Sequence, residues 1–129
     1  MPDPGFKIDV ADGGDVIILR IIDHIERHEL YKVEEAINAL NASGHSRFVV
    51  DLSAATNITS TGMGLMLYYQ HMLQNRGGGL AIASPSAEVM RQLEHAGLEE
   101  VFIIYSGIDE AIDALRRGRS SRKQAPAGA

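Results

Sequence analysis

The chain reads Asp51-Leu52-Ser53-Ala54-Ala55-Thr56-Asn57-Ile58-Thr59-Ser60-Thr61-Gly62-Met63-Gly64 across its middle. To the left, Arg47–Leu52 (RFVVDL) is apolar and β-branched enough for a buried strand. To the right, apolar residues recur at helical spacing from about Ser60 to Asn75, until Gly77-Gly78-Gly79 ends the run. Three consecutive hydroxyl residues therefore sit where a strand gives way to a helix. A cap needs only one of them. The two glycines in the first turn disfavour a helix by roughly 1 kcal/mol each relative to Ala. Lacking side chains, they let a ligand or another backbone approach closely.

The remaining elements extend outward from this junction. Phe6–Val10 alternates as a half-buried strand does, and Ala11–Asp15 holds a Gly-Gly turn. Val16–Ile22 is apolar but for Arg20, so the two runs read as a hairpin. Asp23–His28 is a polar connection. Leu30, Val33, Ile37 and Leu40 form one helical stripe, with Gly44 as its stop. Residues 80–83 are a short buried strand, and Ser84-Pro85 has the form of an N-cap followed by a first-turn proline. Gly97-Leu98 resembles a Schellman stop with an apolar residue behind it. Residues 101–104 (VFII) read as the last strand. Ser106 begins a capping-box spacing, and Arg116 and Arg117 end the final helix.

The order β-β-α-β-α-β-α-β-α implies an α/β fold. We expect one domain over residues 1–117, built on a mixed, mostly parallel sheet of four to five strands flanked by about four helices. Residues 118–129 are basic and rich in small residues, and are expected to form a disordered tail.

Composition narrows the function. The 129 residues include no cysteine, which excludes disulfides, zinc–thiolate sites and a thiol nucleophile. No apolar run approaches the ~18 residues of a membrane span. The start, MPDPGFKIDV, lacks the pattern of a secretory leader, so a cytoplasmic address is expected. The net charge of −5 is unevenly spread: residues 1–115 carry seven bases against seventeen acids, and residues 116–129 carry five bases and no acid. An acidic body without tryptophan argues against direct nucleic-acid binding. It suits a partner with a basic face.

Catalytic and metal motifs are missing. His24 and His28 stand four apart beside Glu29, but lack a third ligand at a usual spacing. No G-x-S-x-G elbow marks Ser60 as a nucleophile. Lys7, Lys32 and Lys123 do not stand in a phosphate-binding loop motif. No enzymatic activity, cofactor or metal is expected.

The run D-L-S-x(5)-T-S-T-G-M-G resembles the phosphorylation loop of the STAS family, the sulfate transporter and anti-sigma-factor antagonist domains. The order of elements and Ala96-Gly97-Leu98 before the last strand agree with that family over nearly the whole chain. The resemblance implies an anti-sigma-factor antagonist: a switch that sequesters an anti-sigma factor serine kinase while Ser60 is unphosphorylated. A PP2C-type phosphatase would reset it, and the protein would be a monomer or weak dimer. Ser60 occupies the phosphoacceptor position, with Thr59 and Thr61 beside it. Partner contacts are implied at Glu26, Asp51, Asn57, Thr59, Thr61, Gly62, Met63 and Gly64. Thr59 replaces the usual acidic residue, and Glu26 stands in for the aspartate after the second strand. A scaffold subunit of a stress-signalling assembly and an accessory subunit of an ABC-type membrane transporter are the alternatives within the family.

The helix after the loop could itself be a contact surface. Met63, Met66, Leu67 and Leu73 form one stripe, while Leu65, Tyr68, Tyr69 and Met72 lie largely elsewhere. Burial by a neighbouring helix and contact with a partner both fit, and Met63 is the favoured contact because methionine adapts to binding surfaces.

Overall fold

The computed structural model describes residues 5–23 and 27–118. Its elements are β1 (Phe6–Val10), β2 (Ile17–Asp23), α1 (Arg27–Ala42), β3 (Arg47–Ala55), α2 (Ser60–Asn75), β4 (Gly79–Ala83), α3 (Ala87–His95), β5 (Ile104–Tyr105) and α4 (Ile108–Arg116). The nine elements keep the expected order. No described helix is long and apolar enough to cross a membrane. Residues 1–4, His24, Ile25 and Glu26, and all of the expected tail 118–129 except Gly118, lie outside the described residues.

The five strands stand in sequence order across one sheet. β1 is antiparallel to β2, and the other neighbours are parallel. Each β-α-β crossover thus steps the same way, and right-handed crossovers place α1, α2 and α3 on one face. The core divides accordingly. Leu19, Val50, Leu80 and Ile82 meet residues of α1, α2 and α3, including Val33, Met66 and Leu93. Val49, Ala81 and Ala83 point the other way and meet Ala111, Ile112 and Leu115 of α4.

Several boundaries differ from the sequence reading. β3 runs on to Ala55. β5 keeps only Ile104 and Tyr105, because the amides of Val101 and Phe102 both turn back to the carbonyl of Leu98. Phe102 is nonetheless buried, so the apolar signal there marks an anchor rather than a strand. α1 begins at Arg27, within the expected connection. Ser84 is not the cap of α3: it has φ +53°, and Ser86 caps the helix by accepting from the Val89 amide. Gly97 ends α3 in the expected Schellman form, with Leu98 N donating to Leu93 O at 2.9 Å.

Gly78 holds the turn between α2 and β4 through close packing. A Cβ there would stand 1.8 Å from the Ser46 carbonyl oxygen. That carbonyl also accepts from the Gly79 amide at 2.8 Å, so it cannot move away without breaking the start of β4. Gly78→Ala should lower stability by about 3 kcal/mol, the upper part of the overpacking range. Chemical denaturation of both proteins measures this.

Candidate functional site

The site begins with an irregularity in β3. Arg20 pairs with Asp51, but Ile22 pairs with Ala54, so β3 carries one extra residue. Before the slip, Phe48, Val50 and Leu52 face the helices α1–α3. After it, Ala55 faces them instead, so the bulge has reversed the alternation. Asp51 holds the bulge in place. One carboxylate oxygen accepts the Ser53 amide at 3.0 Å, and the other accepts Arg20 Nε at 2.8 Å. Asp51 is only 1% exposed. Burial pushes its carboxyl up, but the Ser53 amide and Arg20 outweigh this and hold it below the ordinary aspartate range.

The loop after β3 is pinned from three sides. The Thr56 amide donates to the carbonyl of Asp23, itself at φ +54°. Ser86 Oγ donates to the Ala55 carbonyl at 2.8 Å. Gln92 of α3 accepts from the Ile58 amide at 2.8 Å, and its NH₂ group donates to Asn57. Ser86 and Gln92 do not stand out in the sequence, because a polar residue on an amphipathic helix carries no mark of a distant loop.

Thr59 is the N-cap of α2. Its backbone is extended, and its Oγ1 accepts from the Gly62 amide at 3.0 Å. Ser60 is the first helical residue, exposed, with no hydrogen bond to its hydroxyl among the described residues. Asn57, Thr59, Thr61 and Gly64 are exposed around it. The first amides of a helix have no intrahelical acceptor, so a developing negative charge at Ser60 meets donors and the positive end of the dipole.

Three expected contact residues are placed otherwise. Asp51 lies beneath the loop as a brace and presents no charge to a partner. Met63 is buried in the core with Met66, Tyr69 and Leu73, because this is the side of α2 that faces the sheet. Gly62 is buried too, where a Cβ would meet Thr59 Oγ1 and Ile58 at 3.4 and 3.5 Å. The stripe includes Tyr69 where Leu67 was expected; the Tyr69 hydroxyl donates to Asn38 of α1 at 2.9 Å. Burial pushes the Tyr69 phenol up, assisted by the charge of Glu34. Beneath the loop, an apolar cavity of about 60 Å³ lies between α1, α2 and the sheet, lined by Leu19, Ile21, Val33, Ile37, Leu65 and Tyr69 among others. Glu26 lies outside the described residues. Among those residues, no three His, Asp or Glu side chains converge as a metal site requires.

Taken together, these features define an α/β module that presents an open hydroxyl at the start of a helix, on a loop braced from beneath. The chain belongs to the STAS domain family, whose model matches residues 7–111. A Thermotoga maritima protein provisionally named an anti-sigma factor antagonist is 30% identical over 94 residues, 73% of this chain and 82% of that protein. The anti-sigma-F factor antagonist RsfB of Mycobacterium tuberculosis is 25% identical over 115 residues, 89% of this chain and 93% of its own. Among solved structures, the anti-sigma factor antagonist SpoIIAA in its unphosphorylated form shares the fold at TM-score 0.75 and 18% identity, covering 87% of this chain and 96% of that one. Its phosphorylated form, from Bacillus, matches at TM-score 0.67, with 86% and 99% covered.

The bracing predicts two outcomes. Gln92→Ala should speed hydrogen exchange at the Ile58 amide while leaving amides in β4 protected, since its two bonds to Ile58 and Asn57, worth about 1 kcal/mol each, are lost locally. Asp51→Asn keeps the shape but removes the charge, and should cost about 2 kcal/mol at neutral pH. The native carboxyl is more acidic than the unfolded one, so its contribution is full above about pH 4 and fades as acid titrates the folded form. In urea melts of both proteins the difference in stability should narrow as the pH falls from about 7 to about 3.

Proposed function

We propose that this protein is an anti-sigma factor antagonist switched at Ser60: the unmodified loop binds an anti-sigma factor serine kinase, and phosphorylation releases it. The carrying observation is the division of labour in the hydroxyl triplet. Thr59 is committed to the cap, while the Ser60 hydroxyl is exposed and has no hydrogen bond among the described residues. The kinase passes the γ-phosphoryl of ATP to Ser60 Oγ and ADP leaves; a PP2C-type phosphatase returns the hydroxyl by hydrolysis. The relatives' names point the same way, as does a fold neighbour known in both phosphorylation states. In this role the chain is a binding protein and not a catalyst.

Phosphate adds about −1.5 to −2 charge and three acceptor oxygens. At a helix start it is tolerated, so release comes from charge and bulk presented to the partner. Gly64 supports a contact here. It is exposed and a Cβ would meet nothing within 4 Å, so the fold does not require glycine. A partner backbone approaching closely gives it a reason.

Ser60→Asp should abolish capture of the cognate anti-sigma factor that Ser60→Ala retains. Equal capture by both variants overturns the switch. Mass spectrometry after incubation with the kinase and ATP should place one phosphate on Ser60. None on Thr59, Ser60 or Thr61 would leave an unregulated binding module. Gly64→Ala should stabilise the fold by up to about 1 kcal/mol through helix propensity, yet weaken capture.

A further inference from the structure

The face opposite α1–α3 is only partly covered. α4 has nine residues and lies over β3, β4 and β5. A helix is ~10 Å wide with its side chains, whereas five strands ~4.8 Å apart span about twice that. The β1–β2 side of this face is left as a groove against α4. Ala11, Ile18, Ile108 and Ile112 give it an apolar floor, and Asp9, Asp12 and Asp109 stand at its rim. Nearby charges are already engaged. Arg116 holds Asp15 at 2.7 and 2.9 Å and reaches the Asp12 carbonyl, Arg117 holds Asp113 at 3.0 Å, and Ser106 donates to Glu110. Asp9 and Asp109 have no cation partner among the described residues, and Asp12 feels the charge of Arg116 nearby without an ion pair to it.

We propose that residues 119–129 of the same chain dock back into this groove, setting Arg119, Arg122 and Lys123 against Asp9, Asp12 and Asp109. The segment starts in the right place. Arg116, the last residue of α4, lines the groove, and Gly118, at φ +78°, turns the chain off the helix axis. It has the right charge, with three bases and no acid. It also has the right reach. Extended at ~3.4 Å per residue, Arg119 to Lys123 covers about 14 Å, which matches a nine-residue helix rising ~1.5 Å per residue. The small residues Ala125 to Ala129 suit a shallow apolar floor. Each surface ion pair is weak, but attachment to α4 gives the segment an effective concentration that a free peptide lacks. Docking covers the open half of the sheet and withholds the three bases from other acidic surfaces.

The absence of cysteine makes the test clean. A nitroxide on Ser121→Cys of the full chain should strip most of the intensity from the amide signals of Val10, Ala11, Asp12, Ile112 and Asp113. Signals of the Ser60 loop should be spared. The effect should disappear in 1 M salt, where the screening length is about 3 Å, and in an R119E/R122E/K123E chain carrying the same label. Broadening that spreads evenly over the surface, or that persists unchanged in salt and in the charge-reversed chain, overturns the proposal. So does broadening that appears when labelled chain is mixed with isotope-enriched unlabelled chain, since that places the tail on another copy.

Discussion

A carboxylate buried in the middle of a parallel sheet loses the hydration that normally stabilises it. Asp51 replaces that hydration with one guanidinium and one amide, and the amide sets the path of the chain beyond it. Tying Ser53 back to Asp51 sets the extra residue in β3, and the extra residue turns Ala55 toward the helices. From there the chain meets Asp23, Ser86 and Gln92 at the places where their hydrogen bonds are available. The exposed hydroxyl of Ser60 thus depends on a buried acid four strand positions upstream of Ala55.

This arrangement bears on how a switch at Ser60 would work. A loop held by side chains from α3 and by the backbone of β2 is ordered before any modification. Charge added to it need not act by folding or unfolding the segment. Under the proposed switch it would act at the exposed ring of Asn57, Thr59, Thr61 and Gly64 around Ser60. Electrostatic effects of this kind alter association without altering the body that carries them.

The fold was legible in the sequence because its signals are local. Strand runs, helix stripes and glycine stops each occupy a few consecutive residues, and α2 begins and ends where its pattern does. The place of Ser60 at a helix start was legible for the same reason. The features that escaped depend on neighbours distant in sequence. Ser84-Pro85 has the local form of a cap, but contacts from Ala55 and Leu52 give that role to Ser86. The apolar run at 101–104 could not show that Leu98 would bind two of its amides. Asp51 was expected as a partner contact, and its burial could not be foreseen because its pairing with Arg20 spans thirty-one residues. Met63 read as a contact because its periodicity could not say which side of α2 met the sheet.

The cavity beneath α1 gives the molecule an asymmetry of volume. Elsewhere α2 and α4 press against strands whose facing side chains are fully buried. Between α1, α2 and the sheet, a partly open apolar space under the loop is left unfilled by the described side chains. Hydrostatic pressure favours whichever state eliminates such voids. Compression therefore acts first on the seat of α1, where the Tyr69–Asn38 bond joins the helices, while the opposite face, packed on small alanines, has little volume to give up.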